Sequence, residues 1–477
     1  MITGSEMAVV DENAAALGVP RKQLMESSGN AIARVVRDLA APGDKITIVC
    51  GRGNNGGDAA VAARFLDEFD LSICLLGRAE TITTDIAREN WAALQEADYD
   101  TREVRDSTAV DLADPDLIVD AMLGTGIAGE LREPAATAAA AMNGADATVL
   151  SVDVPSGLDA DAATLTDNAV SPDHVVTFHD TKPGLADLAA DVTVAEIGIP
   201  AAAETFVERG DLQRLSRDPT SHKGDHGEVL VVGGGPYTGA PALAGQAALR
   251  AGADLVRVSS PTAVAHEIQG YCEDLIVRPM EGRTLETSHV SPITELANEQ
   301  DALVFGPGLG DDPETLKAAR AILERYDGTA VVDADALAVV PDVETDADLI
   351  CTPHQGELEK MGGETAADWR ERSELVEDFA AEVGHTLLVK GHYDIVSDGD
   401  RTRVSRTGNP GMTVGGTGDV LAGVTGALAA TQDPLDAAAL AAFVNGRAGD
   451  IVYEQSGNGL VASDLLDAIP AAMQNDR

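Results

Sequence analysis

Short, continuously apolar runs alternate along this chain with alanine-rich stretches of helical spacing. The runs fall at Ile46 to Cys50, Leu71 to Leu76, Leu117 to Leu123, Thr148 to Val154, Val175 to Phe178 and Val192 to Ile197. Strands that are apolar at every position, rather than at every second one, have helices on both faces, so the pattern predicts βαβ units and a parallel sheet. Ahead of them, Ala8 to Leu17 and Gln23 to Leu39 predict helices. The rhythm breaks at the polar, proline-containing stretch Asp211 to Thr220 and then restarts. Its second series is Glu228 to Val232, Leu255 to Ser259, Ala302 to Phe305, Ala330 to Asp333, Leu349 to Thr352 and Thr386 to Lys390, with helical patterns at Ala242 to Ala251 and Asp419 to Ala430 between them. The expected architecture is α/β, two doubly wound domains in tandem over residues 1–212 and 215–477. Ligand sites in such sheets lie beyond the carboxyl ends of the strands.

Composition narrows the setting. The 477 residues hold 80 Asp and Glu against 33 Lys and Arg, a formal charge of −47, in a chain that is 44% hydrophobic. That charge repels nucleic acid and anionic membrane surfaces, so neither is an expected partner. Only seven residues are lysine. An acidic, lysine-poor surface repels itself at low ionic strength, and molar salt, with a Debye length of about 3 Å, removes that penalty. A halophilic, salt-adapted cytoplasm is the expectation. Cys50, Cys74, Cys272 and Cys351 show no metal-site spacing and suggest a reduced interior. The N-terminus carries no basic segment followed by an apolar one, and no apolar stretch approaches a membrane span, which reads as soluble and cytosolic. The charge disfavours casual association, while a buried homo-oligomer face stays open.

The chemistry is concentrated at predicted strand ends. After Cys50 comes Gly51-Arg-Gly-Asn-Asn-Gly-Gly-Asp58 and then an alanine-rich helix. Strand, glycine loop and helix together offer backbone N–H groups and a helix dipole to an anion. The spacing is neither a dinucleotide fingerprint nor a P-loop. Asp120-Ala-Met-Leu-Gly-Thr-Gly126 and Val152-Asp-Val-Pro-Ser-Gly-Leu-Asp159 close two further strands. In a parallel sheet all three loops meet at one edge, where amide, carboxylate and hydroxyl oxygens suit a hard cation beside an anionic ligand. Taken alone, Asp153 reads more readily as a helix-capping carboxylate.

Leu24-Met-Glu-Ser-Ser-Gly29 and these three motifs, in this order, resemble the NAD(P)H-hydrate epimerase domain, the YjeF N-terminal domain of Rossmann-like fold, over roughly residues 1 to 212. The resemblance implies that Asn55, Asp120 and Ser156 hold a potassium ion. It implies that Asn54, Asn55, Gly56, Gly57 and Asp58, with Gly124, Thr125, Gly126, Ile127, Ala128, Gly129 and Glu130, line the substrate, and that Asp153 is the catalytic residue beside the nicotinamide ring. Ala59, where the family commonly adds a glycine, and the lack of a glycine soon after Asp161 depart from the pattern.

In the second half, His222-Lys-Gly-Asp-His-Gly227, Gly233-Gly-Gly235, Phe305-Gly-Pro-Gly-Leu-Gly310, Thr352-Pro-His-Gln-Gly-Glu357, Lys390-Gly-His-Tyr-Asp394 and Asn409-Pro-Gly-Met-Thr-Val-Gly-Gly-Thr-Gly-Asp-Val-Leu-Ala-Gly423 follow one another. Gly415-Gly-Thr-Gly418 opens a helix with amides free to approach developing negative charge. Asp419 stands at that helix N-terminus, where the dipole favours its ionised form and where it can accept a hydroxyl proton during phosphoryl transfer. For His354, an ordinary satisfied polar side chain is about as good a reading as a ligand contact.

These motifs resemble the ADP- or ATP-dependent NAD(P)H-hydrate dehydratase, of the ribokinase-like superfamily, over about residues 215 to 477. By that resemblance Gly308, His354 to Lys360 and the catalytic base Asp419 contact the hydrated nicotinamide nucleotide. Lys390, Gly391, His392, Tyr393, Asp394, Asn409, Gly415, Gly416, Thr417 and Gly418 contact the adenine nucleotide, with Mg²⁺. The small-molecule partners implied are the NADH and NADPH hydrates, NADHX and NADPHX, and ADP or ATP. The rival is a ribokinase-like vitamin-pathway kinase joined to a non-catalytic first module.

Overall fold

The computed structural model describes residues 1–126 and 129–474. It forms two compact units, Met1–Ala203 and Glu204–Arg477. The first is built on β1 (Lys45–Cys50), β2 (Asp70–Leu76), β3 (Thr101–Val104), β4 (Leu117–Ala121) and β5 (Thr148–Val152); a two-stranded hairpin follows, β6 (Leu158–Asp159) with β7 (Thr164–Leu165), and then β8 (His174–Phe178) and β9 (Asp191–Ala195). The seven-stranded sheet runs β3-β2-β1-β4-β5-β8-β9, with every pairing parallel. Successive strand residues feed opposite faces: Ile46, Ile48 and Val119 enter one apolar cluster, and Val49, Ile118 and Val149 the other. That two-sided burial is why these strands read as unbroken apolar runs.

The strand order reverses between β1 and β4, so their carboxyl ends open a crevice. Two strands stop earlier than their apolar runs suggest. β4 ends at Ala121, where the Met122 N–H turns back to Oδ1 of Asp120. β5 ends at Val152, because Asp153 takes φ +65°, outside the strand region.

The second unit orders its sheet β12-β11-β10-β13-β14-β15-β16-β17-β18. Here β10 is Glu228–Val232, β11 Leu255–Pro261, β12 Ile276–Met280, β13 Ala302–Phe305, β14 Thr329–Val332, β15 Asp348–Cys351, β16 Thr386–Val389, β17 Asp394–Ser397 and β18 Thr402–Ser405. β12 through β16 are parallel, while β17 and β18 add an antiparallel edge. The order reverses between β10 and β13, and helix Thr417–Ala429, buried from Val420 to Ala429, packs beneath that reversal.

The compact units divide after Ala203, ahead of the polar stretch Asp211 to Thr220. Val207 and Leu212 are buried in the core of the second unit. The Val207 N–H donates to Val404 O, and Arg403 pairs with buried Asp211 at 2.8 Å. Among the described residues no helix is long and apolar enough to cross a membrane.

Candidate active sites

In the first unit the glycine loop after β1 leads directly into helix Asn54–Ala63. A methyl group on Gly56 would lie 2.1 Å from Gly51 O, so only glycine lets the helix start so close to the strand end. This places Asn55 between the ends of β4 and β5, its Nδ2 donating to Leu123 O at 2.9 Å and to Val152 O at 3.1 Å. Its Oδ1 is buried and, among the described residues, has no hydrogen-bond partner.

Asp120 and Ser156 are wholly buried alongside. Oδ1 of Asp120 accepts from Ser156 Oγ at 2.6 Å, and Oδ2 accepts from the Ser156 N–H and from Ser151 Oγ, both at 2.9 Å. Burial pushes the Asp120 carboxyl up, and the bonds from Ser156 and Ser151 partly offset it. Asn55 and Ser156 both bond Leu123, and Ser156 bonds Asp120, so the three residues are gathered into a hard-oxygen donor set that suits an alkali cation. In this respect the residues fit potassium.

Asp153 is not a helix cap, which corrects the simpler reading of it. Its Oδ1 faces Lys182 Nζ at 3.1 Å and accepts from Thr177 Oγ1 at 3.2 Å. Gly124 lies on its other side: a methyl group there would be 3.7 Å from Oδ2. Two more carboxyls bear on Asp153. Burial, and next the charge of Asp153, raise Asp58 well above the usual range. Asp11, from helix Gly4–Ala16, is pushed up to about 6 by burial, with Arg21 opposing and Asp153 adding. Asn54 is exposed, its Oδ1 taking the Thr84 hydroxyl at 2.8 Å. Gly57 is buried, Thr125 half-buried, and Gly126, Gly129 and Glu130 are exposed along the rim; Ile127 and Ala128 lie outside the described residues.

In the second unit four strand ends supply the site. Asp333 directly follows β14, and its Oδ1 accepts from Thr352 Oγ1 at 2.7 Å and from Lys390 Nζ at 3.1 Å. Lys390, leaving β16, also lies 3.9 Å from Glu357. Burial works against its ammonium, and the charges of Asp333 and Glu357 outweigh it, so its pKa rises. A methyl group on Gly418 would be 3.4 Å from that Nζ, which brings the lysine to the first turn of the helix that Gly416 opens at φ +99°. Asp419 follows. The dipole argument favoured its ionised form, but burial and then repulsion from Asp333 prevail over Lys390 and push it up to about 7. A carboxyl in that range titrates near neutral pH, which suits a general base.

Other predicted contacts have local duties. His354 caps helix Gln355–Met361, its Nδ1 accepting from the Glu357 N–H at 3.0 Å. Asn409 is committed to the Gly411 N–H and to Asp450, at 3.0 and 2.9 Å. Asp394 begins β17, accepts from the Gly391 N–H at 2.8 Å, and is pushed by burial to about 7. Tyr393 stacks on Trp369, and His392 is exposed. Thr417 Oγ1 donates to Met412 O at 2.8 Å, and Gly415 is exposed. Gly308 packs against the Tyr237 carbonyl, and Tyr237 is 62% exposed.

Sequence reasoning missed Asp11, Lys182, Asp333 and Tyr237. Asp333 carried a usable signal, a carboxylate at the end of an apolar run, as in Asp120. Lys182 and Lys390 are two of only seven lysines, and both are withdrawn from solvent, with side chains 1% and 22% exposed.

Fold and site define a two-domain α/β enzyme with a Rossmann-ordered sheet followed by a ribokinase-like one. Residues 229–471 match the NAD(P)H-hydrate dehydratase family, and residues 21–184 match the YjeF-related protein N-terminus. The chain is 43% identical over 490 residues to the bifunctional NAD(P)H-hydrate repair enzyme Nnr of Methanothermobacter thermautotrophicus, covering 98% of this chain and 94% of that one. It is 42% identical to the Nnr of Pyrobaculum aerophilum, over 99% and 98% of the two chains. Among solved structures it is similar to the ADP/ATP-dependent NAD(P)H-hydrate dehydratase of Bacillus subtilis co-crystallised with ATP/Mg²⁺, at 25% identity and a TM-score of 0.49, over 56% of this chain and 97% of that one. The chain belongs to the family of bifunctional NAD(P)H-hydrate repair enzymes, with epimerase and dehydratase activities. A vitamin-pathway kinase with an idle first module is disfavoured by these near full-length matches.

Proposed function

We propose that the second domain restores NAD(P)H from the S hydrate by phosphorylating it from ADP or ATP, and that the first supplies S by interconverting it with R. Hydroxide is a poor leaving group, so the C6 hydroxyl must be converted into a better one. Asp419 takes the hydroxyl proton, and the oxygen attacks the terminal phosphoryl group in line. AMP or ADP departs. The ring nitrogen lone pair then expels phosphate, and loss of a C5 proton regenerates the double bond.

The single observation that supports this reading best is the meeting of Asp419, Lys390 and Gly418 at a helix N-terminus. Lys390 and the amides of residues 415–418 offer positive charge to the phosphoryl group in transfer. Asp333 and Glu357 are oxygen donors beside them that fit a Mg²⁺ ion carried in by the nucleotide, whose chemistry there is to neutralise polyphosphate charge. In the first domain Asn55, Asp120 and Ser156 would hold potassium, which would supply fixed positive charge near an anionic substrate. Asp153 serves as acid and base at the C6 hydroxyl.

The charge of −47 supports a salt-rich cytoplasm as the setting and small molecules, not nucleic acid or membrane, as partners. The test is to incubate S hydrate with nucleotide and Mg²⁺. Equal yields of NADH and phosphate support the reading, and accumulation of a stable phosphorylated product overturns it.

A further inference from the structure

The epimerase mechanism uses Asp153 but not the cation beside it. Lys182 is 1% exposed, and its ammonium makes two hydrogen bonds to main-chain carbonyls and one ion pair. Nζ donates to Phe178 O at 2.8 Å and to Asp180 O at 3.1 Å, and it meets Oδ1 of Asp153 at 3.1 Å. The two carbonyls belong to the chain leaving β8, so the lysine is moored to the sheet edge and reaches back across it. Thr177 Oγ1 reaches the same carboxylate oxygen at 3.2 Å. Oδ1 of Asp153 is thus held twice, while Oδ2 is the oxygen turned to Gly124 in the substrate loop. The Asp153 backbone, at φ +65°, is fixed by its N–H bond to Val176 O at 2.7 Å. Burying an ammonium is a costly way to fill a core, and a chain with seven lysines spends one here.

We propose that Lys182 is the positioning residue of the epimerase: it clamps Oδ1 of Asp153, so that Oδ2 is the oxygen that exchanges a proton with the C6 hydroxyl. This rests on the reading of Asp153 as acid and base. The proton passes from Oδ2 to the hydroxyl oxygen, and the C6–O bond breaks with its electron pair leaving in water. The ring nitrogen lone pair forms the C=N bond of the cation. Water then adds to the opposite face, C6–O re-forms, and the proton returns to Oδ2. The ion pair seen here corresponds to the carboxylate left after proton donation, which the ammonium steadies.

The test uses the full chain, with dehydration of the S hydrate as internal control. Lys182→Met should lower kcat for R-to-S conversion ~100-fold, the scale of a misplaced reacting group, with KM within about twofold and dehydration unchanged. In Lys182→Ala, propylammonium should restore turnover and 1-propanol, similar in size and neutral, should not. Thr177→Val, which keeps shape and removes the second clamp, should cost ~5-fold in kcat, the worth of one hydrogen bond. The proposal is overturned if Lys182→Met epimerises within threefold of the native rate, if propanol rescues as well as the amine, or if Thr177→Val leaves kcat unchanged. Asp153→Asn separates the two readings. If it retains native epimerisation, the reading of Asp153 fails; if it is inactive while Lys182→Met is native, only the role of Lys182 fails.

Discussion

Lys390 holds its ammonium 3.1 Å from Oδ1 of Asp333, and the same ammonium stands beside Gly418, so a strand-end carboxylate keeps a half-buried cation at the mouth of the glycine-opened helix. Asp333 is in turn fixed by Thr352 and is nearly inaccessible. Removing it leaves Lys390 without its main partner. Asp333→Ala should lower dehydration ~100-fold, mostly as a rise in nucleotide KM, and leave epimerisation untouched. Steady-state kinetics on S hydrate with varied ADP checks this, and unchanged nucleotide KM would remove Asp333 from the site.

Asp419→Asn should abolish dehydration, by ~10³-fold or more for loss of a general base, and should also raise Tm above pH 7. The sign follows from linkage. The folded carboxyl binds its proton more tightly, at about 7 against an ordinary 3.8, than the unfolded one. Its contribution to stability is therefore whole below the unfolded value and is lost as pH rises toward 7. Asn cannot ionise and escapes that loss. Calorimetry at pH 8 on both proteins is the check, and a lower Tm for the variant would contradict it.

The same shift sets the pH profile. As a base Asp419 must be ionised, so dehydratase kcat/KM should climb about tenfold per pH unit below 7 and level off above it. A profile flat from pH 5.5 to pH 8.5 (a range of assay, roughly 1.5 units either side of 7) would exclude it as the titrating base.

Much of this fold was legible because its central strands are covered on both faces. Ile48 and Val119, or Leu303 and Ala330, sit in strands with no polar face to break the run. The strands missed are edge or half-covered ones. β3 reads Thr-Arg-Glu-Val and is only partly buried, and β12 contains a proline. β17 starts inside a motif taken for a ligand loop, because Asp394 is at once a strand residue and a partner of Gly391.

The site was legible to the same extent and for a related reason. Motifs at the ends of β1, β4 and β5 announce themselves by glycine, whereas Lys182 and Asp11 reach the site from segments whose local sequence suits an ordinary loop or helix. Only the packing of helix Gly4–Ala16 and the loop after β8 brings them to Asp153. Asp211 and Arg214 look like linker residues until their partners Arg403 and Asp436 are in place.

For the cation site, Asp120→Asn should cut epimerisation by at least ~10-fold and abolish its dependence on potassium, leaving dehydration intact. Burial raises the Asp120 carboxyl, so acid that protonates it should weaken the site. Rates in KCl against equimolar choline chloride provide the measurement, and a variant still activated by potassium would place the ion elsewhere.

The net charge of −47 carries a prediction of its own. Screening relieves self-repulsion, so Tm should rise steadily from about 0.1 M to about 3 M KCl. A Tm independent of salt across that range would count against salt adaptation.

The most direct measurement of the central claim, that one chain holds two separable sites for the same damaged coenzyme, is recovery of NADH absorbance from a mixture of R and S hydrates supplied with ADP, Mg²⁺ and KCl. The native protein should recover the whole mixture, Asp153→Asn only the S fraction at an undiminished rate, and Asp419→Asn none. Loss of both activities in either single variant, or full recovery by Asp153→Asn, would contradict the account.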